Sequence, residues 1–169
     1  NKNISNLKTV YRLNHNYLDI EKKLYIRNTN KYTKICSYKN NSFNSEFHIW
    51  RPVPQSGFCC LGDIIISNSS DPNNTINTLV AHKSLCKIPL NYGNKPIYKI
   101  NKSGRDISFW RPVPHNNYYF MGDIIVLGDN EPDSDDIVYS ISIDYLKILG
   151  YDTHKMVYSN IDNTRQFSI

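Results

Sequence analysis

Apolar residues fall along this chain in short runs bounded by polar turn-formers, the pattern of brief β-strands rather than helices. Phe58-Cys59-Cys60-Leu61 is followed by Gly62-Asp63 and then Ile64-Ile65-Ile66. Further along, Tyr118-Tyr119-Phe120-Met121, Gly122-Asp123 and Ile124 to Leu127 repeat the arrangement. Each apolar run predicts a strand, and each Gly-Asp pair predicts a bulge or tight bend before the next one. Upstream, Tyr38 to Trp50 reads as a strand, a polar turn and a second strand. Pro52 and Pro54 then remove backbone donors and predict an extended, edge-like path. Gly57 in one copy is Asn117 in the other, the two residue types that best tolerate left-handed backbone, so a turn is expected there.

The two copies align without a gap at an offset of 60 residues: W-R-P-V-P-Q-S-G-F-C-C-L-G-D-I-I from Trp50, and W-R-P-V-P-H-N-N-Y-Y-F-M-G-D-I-I from Trp110. Tyr38, Tyr98 and Tyr158 fall in register, and residues 157–169 resemble the opening of a third copy, stopping where a third Trp would be expected. Each copy continues into a Pro-containing loop (Pro72, Pro132) and an apolar segment ending at Leu85 or Leu146, with a slip of one residue. The expected organisation is a single all-β repeat domain over 1–169. Its parts are an atypical N-terminal part (1–36), unit 1 (37–96), unit 2 (97–156) and the opening hairpin of unit 3 (157–169). Within 1–36, Leu24 to Ile26 reads as a strand and Asn6 to Lys23 as loop or short helix. This region is expected to supply the missing face of an incomplete repeat, since partial units must hide apolar surface. Three in-register hairpins favour a pseudo-threefold β-prism-like domain over the alternative, a β-sandwich.

Composition narrows the class further. Ala81 is the one alanine among 169 residues, beside 13 Tyr and 22 Asn, which argues against a helical bundle. Mean hydropathy is −0.52, and no apolar run reaches the roughly 18 residues of a membrane-spanning helix. Beginning at Asn1, with no charged start and apolar stretch, the sequence reads as a piece of a longer protein. The net charge of +5 is uneven: residues 1–51 hold ten Lys or Arg against three acids, and residues 120–136 hold six acids and no base. Cys36, Cys59, Cys60 and Cys86 lack CxxC spacing, so they read as small buried residues of a reducing compartment rather than zinc ligands.

The acidic stretch Asp129 to Asp136 lacks the spacing and central Gly of a calcium loop and reads as solvated. His15, His48, His82, His115 and His154 are scattered, and neither G-x-S-x-G nor H-E-x-x-H occurs, so no enzyme, metal or cofactor is expected. A pI of 8.9 with many Tyr raises nucleic acid, but no RNP-like or zinc-finger pattern supports it.

The motif W-R-P-V-P-x-x-G-[aromatic]-x-x-[LM]-G-D-I resembles the repeat of the vacuolar protein sorting-associated protein sixty-two family, as embedded in VPS-thirteen-type lipid-transfer proteins. It is also similar to the β-prism domains that bind membranes in multivesicular-body sorting proteins. With the upstream hairpins, the resemblance covers roughly three quarters of the chain; copy two departs at Asn117, where the pattern has Gly. The resemblance implies a non-enzymatic trafficking or lipid-transfer module, cytoplasmic and peripheral to membranes, and the Asn richness is compatible with an apicomplexan source. Residues identical between copies are expected to build the fold: Trp50, Arg51, Pro52, Pro54, Gly62 and Asp63, with Trp110, Arg111, Pro112, Pro114, Gly122 and Asp123. Arg51 and Arg111 are expected to stack on a ring or pair with Asp63 and Asp123. Lys22, Lys23, Arg27, Lys31 and Lys34 form the expected contact with an acidic membrane. The expected partner is a protein ligand or such a surface. The alternatives are a β-prism lectin binding glycans and a structural repeat for protein assembly.

Overall fold

The computed structural model describes residues 10–13, 25–40, 45–67, 70–101, 106–133, 137–149, 159–162 and 165–168. Its fold is all-β. The unit-1 strands are β3 (Tyr32–Asn40), β4 (Ser45–Pro52), β5 (Phe58–Cys59), β6 (Ile64–Ile66), β7 (Thr78–His82) and β8 (Cys86–Lys87). Those of unit 2 are β9 (Tyr98–Ile100), β10 (Ile107–Trp110), β11 (Tyr118–Tyr119), β12 (Ile124–Leu127), β13 (Ser140–Ser142) and β14 (Leu146–Leu149). Strands β1 (Val10–Leu13) and β2 (Ile26–Thr29) precede them, and β15 (Ser159–Asp162) and β16 (Arg165–Ser168) follow. In both units a short 3₁₀ turn, Lys83–Leu85 or Ile143–Tyr145, links the last two strands. Its first free N–H is capped by the side chain before it, His82 or Ser142.

Pairing produces two repeated kinds of small antiparallel sheet. One kind is β3-β4-β6 and β9-β10-β12, with the hairpin β15-β16 as its third instance. The other kind crosses the units. Strand β2 pairs with β7 and β8 pairs with β13, and these sheets also hold β5 and β11. The third pair of this kind is β14 with β1, registered Val10↔Leu149 to Leu13↔Leu146. Ile26, Cys86 and Leu146, which open β2, β8 and β14, are spaced by 60 residues. Thus β1 stands to β14 as β7 stands to β2 and β13 to β8.

Several local expectations are corrected by this pairing. Val10 to Leu13 form a strand within the stretch read as loop or short helix, because β14 offers them an edge to pair with. Of the strand placed at Leu24 to Ile26, Leu24 lies outside the described residues, Tyr25 precedes the ladder, and β2 begins at Ile26. The first hairpin is longer than Tyr38 to Trp50, and Pro52 closes its ladder opposite Tyr32 rather than interrupting it. A terminal position needs no further donor, and the next N–H, that of Val53, goes to the Lys31 carbonyl at 2.8 Å. The apolar runs 58–61 and 118–121 supply only two ladder residues each. Cys60 and Leu61 leave the ladder yet stay buried in two different clusters, Cys60 with Trp110, Ile124 and Val138, and Leu61 with Ala81, Leu85 and Ile141. A third cluster joins Phe47 and Ile49 of β4 to Ile107, Phe109 and Ile125, so each of the three clusters draws on both units.

The expected turn at Gly57 and Asn117 is present, with φ of +84° and +64°. The expected bend is present at Met121–Gly122, and Gly62 has a φ of +155°; the Gly-Asp pairs have a second purpose besides. A Cβ placed on Gly62 would lie 2.9 Å from the Gly122 Cα, and one on Gly122 would lie 3.2 Å from the Gly62 Cα. Two backbones touch here, and only hydrogen fits between them. Gly62→Ala should therefore lower stability by about 1–3 kcal/mol in urea unfolding, through overpacking against main chain that has no rotamer to move. A melt indistinguishable from the parent would mean that the units do not meet at this point.

Candidate functional site

The most chemically organised groups in the molecule are the two Arg-Asp pairs that flank this glycine contact. In unit 1 the Arg51 guanidinium, at the end of β4, grips Asp63 in fork geometry: Nε donates to Oδ1 at 2.9 Å and Nη2 to Oδ2 at 3.0 Å. The pair also holds the next unit. Arg51 Nη2 donates to the Ile125 carbonyl at 2.9 Å, the Ile125 N–H donates to Asp63 Oδ2 at 2.8 Å, and the Asp63 N–H reaches the Asp123 carbonyl at 3.3 Å. Arg51 is 13% and Asp63 0% exposed, so this is a buried ion pair whose remaining valences are taken by main chain.

Unit 2 repeats the fork, Arg111 Nε to Asp123 Oδ1 and Nη2 to Oδ2, both at 2.7 Å. Here Arg111 is 44% and Asp123 28% exposed. Pairing with the aspartates is what the structure shows for both arginines.

The tryptophans are buried in both copies but satisfied in only one. Trp110 Nε1 donates to Ser108 Oγ at 3.0 Å, and that hydroxyl donates to the Gly128 carbonyl at 2.6 Å. His48 occupies the matching position in unit 1. Its Nδ1 meets the Ser37 hydroxyl at 2.8 Å across the hairpin, so Trp50 Nε1 is left buried without a hydrogen-bond partner. Glu46 lies 3.3 Å from His48 Nε2, within ion-pair reach but outside hydrogen-bonding geometry, so that nitrogen is also unbonded. Ser37, His48 and Glu46 thus line up along one hairpin, an arrangement the scattered histidines of the sequence did not disclose. It is not duplicated in unit 2, where their counterparts are Ile97, Ser108 and Asp106.

Of the expected membrane residues, Lys22 and Lys23 lie outside the described residues. The other three are exposed at their positions and engaged locally. The Arg27 guanidinium lies 4.9 Å from the Phe58 ring centroid, Lys34 Nζ lies 5.4 Å from that of Trp50, and Lys31 Nζ donates to Asn74 Oδ1 at 2.9 Å. The first contact is a repeat feature: Lys87 and Tyr118, the unit-2 counterparts, meet at 4.7 Å. Around the β2–β3 turn the lysines have apolar company. The Val53 N–H donates to the Lys31 carbonyl and its carbonyl accepts from the Thr29 hydroxyl, the Asn74 N–H donates to the Asn30 carbonyl, and Val53 is 43% and Ile76 37% exposed.

Within the acidic stretch, Asp129 pairs with Lys99 at 2.8 Å and Glu131 accepts from the Tyr92 N–H at 3.2 Å. Asp135 and Asp136 lie outside the described residues. Among the described residues no three His, Cys, Asp or Glu side chains gather as a metal site would require. The thiols of Cys36 and Cys60 are pushed up to about 11 and about 12, in each case chiefly by burial. The Cys86 thiol donates to the Cys59 sulfur, which raises the first and lowers the second. Among the described residues no helix is long and apolar enough to cross a membrane.

No family model matches the chain, and no curated protein matches it. Among solved structures it is similar to the crystal structure of GNIP1Aa from Chromobacterium piscinae, at 17% identity and a TM-score of 0.55. The likeness covers 70% of this chain and 24% of that one. At this identity it supports the β fold alone.

Proposed function

We propose that this chain is a non-enzymatic, pseudo-threefold β-prism-like module that attaches peripherally to acidic membranes, within a vesicle-trafficking or lipid-transfer protein. The observation that carries the membrane reading is the β2–β3 turn, where the exposed Lys31 is joined through its carbonyl to the N–H of the exposed Val53, with the exposed Lys34 further along β3 and the exposed Ile76 bound through its carbonyl to the Tyr32 hydroxyl. Basic residues draw a surface toward anionic headgroups, each contributing about 1 kcal/mol, and apolar side chains next to them enter the boundary with the acyl chains. The threefold reading is supported by the contact of Gly62 with Gly122, and by the way the unit-1 fork grips unit 2. The place β1 takes beside β14 supports it too. The unit-1 motif residues serve this scaffold, since Arg51 and Asp63 bind the main chain of unit 2, whereas Arg111 and Asp123 face solvent.

Liposome flotation tests the membrane reading. Binding to phosphatidylserine vesicles, absent on neutral ones, is expected at low salt and should weaken at physiological salt. The double change Lys31→Glu and Lys34→Glu should abolish it while lowering stability by no more than about 1 kcal/mol, the scale of the exposed contacts to Trp50 and Asn74 that it removes. Failure to float with either vesicle, or flotation indifferent to salt and to the double change, would overturn the membrane reading.

A further inference from the structure

The two Arg-Asp forks have the same internal geometry, yet one grips a strand and the other is open. The first fork's occupant is known in detail: the Asp123 carbonyl and both peptide groups of Ile125, presented by the outer edge of β12. Among the described residues no main chain binds the side chains of the second fork, which explains why Arg111 and Asp123 are exposed while Arg51 and Asp63 are buried.

The strand that would be gripped next in the cycle is also recognisable. Strand β6 is the outer strand of its sheet, and it pairs with β4 through Ile49↔Ile65 as β12 pairs with β10 through Phe109↔Ile125. By that register Ile65 turns outward the same N–H and C=O that Ile125 gives to the first fork. Among the described residues there are therefore one unused fork and one ungripped edge, the two halves of a head-to-tail contact that closes on itself when a third member is added.

We propose that the Arg111–Asp123 fork and the outer edge of β6 form a docking slot for one further unit of this repeat, an extended segment carrying Trp-Arg-Pro-Val-Pro and Gly-Asp-Ile. The residue two beyond the Asp supplies the N–H and carbonyl that the open fork takes, and the Asp carbonyl accepts from the Asp123 N–H. The segment's own Arg and Asp grip the Ile65 edge. A glycine is required before the Asp, because the backbones of Gly62 and Gly122 already approach so closely that a Cβ on either would overlap the other. A complete second copy of this chain does not suit the slot, since it would bring two units to a place that accepts one. The proposal rests on the threefold reading of the fold and is independent of membrane binding.

The test uses the 169-residue chain and a fluorescent synthetic peptide with the sequence of Trp110 to Leu127, followed by anisotropy. Saturable one-to-one binding is expected. It should weaken by about tenfold or more with Arg111→Gln in the chain, and similarly when the peptide's Gly122 is replaced by Val. The melt of the free Arg111→Gln chain, half-exposed at that position, should be close to the parent's. No binding at millimolar peptide would overturn the proposal, as would binding indifferent to both changes. Self-association of the chain abolished by Arg111→Gln would overturn it as well, by giving the slot to a second copy. The threefold reading fails separately, if removing the Asp63 carboxylate leaves stability unchanged. A normal Asp63 effect with no peptide binding removes the docking slot alone.

Discussion

Asp63→Ala should lower the stability of the chain by about 3–5 kcal/mol, whereas Asp123→Ala should cost about 1 kcal/mol or less. The two aspartates occupy the same place in the same sixteen-residue motif, so a repeat-based expectation would treat them alike. The difference comes from surroundings. Asp63 is fully buried, neutralises a guanidinium that is itself nearly buried, and accepts the Ile125 N–H. Its removal strands a cation and an amide in low dielectric, where neither recovers water. Asp123 faces solvent together with Arg111, and water replaces most of what the fork provides. Urea denaturation followed by tryptophan fluorescence measures both losses, the midpoint shifting with little change in slope. Equal large losses would show that the second fork is buried in solution, and equal small losses that the first is exposed.

The same contrast marks how far the sequence could be read. The offset of 60 residues, the positive-φ pair Gly57 and Asn117, and the strands at Ile64–Ile66 and Ile124–Leu127 are all legible, because each is a local preference written twice. Partnership across units is not legible in that way. Nothing local about Cys86-Lys87 says that it pairs with β13 rather than within its own unit, or that Val10 to Leu13 lie against β14. The units defined by sequence, 37–96 and 97–156, therefore do not coincide with the sheets. The bend at Gly-Asp is legible in the glycine, and Gly62 does take a positive φ; the close approach of the two backbones becomes visible only when both copies are placed. Likewise, a cluster of five basic residues reads as free charge until Arg27 is found over Phe58 and Lys34 over Trp50.

The motif's largest side chain allows a sharper comparison between copies. Trp110→Ala should destabilise the chain by about 3–5 kcal/mol, since the indole is buried among Tyr92, Ile124, Val126 and Val138 and its loss leaves a cavity in a shared cluster. An exposed ligand platform would behave oppositely, with stability nearly unchanged and binding lost. Replacement by Phe separates the ring from its N–H. Trp110→Phe deprives the Ser108 hydroxyl of a donor in the chain that runs on to the Gly128 carbonyl. Trp50→Phe removes an N–H that is already buried without a partner, so it relieves a desolvation cost that offsets part of the lost packing. Thermal unfolding should therefore place Trp50→Phe closer to the parent than Trp110→Phe, by about 1 kcal/mol. The reverse order would mean that the Trp50 N–H has a partner in solution, and that His48 does not disrupt the motif in the way its replacement of serine implies.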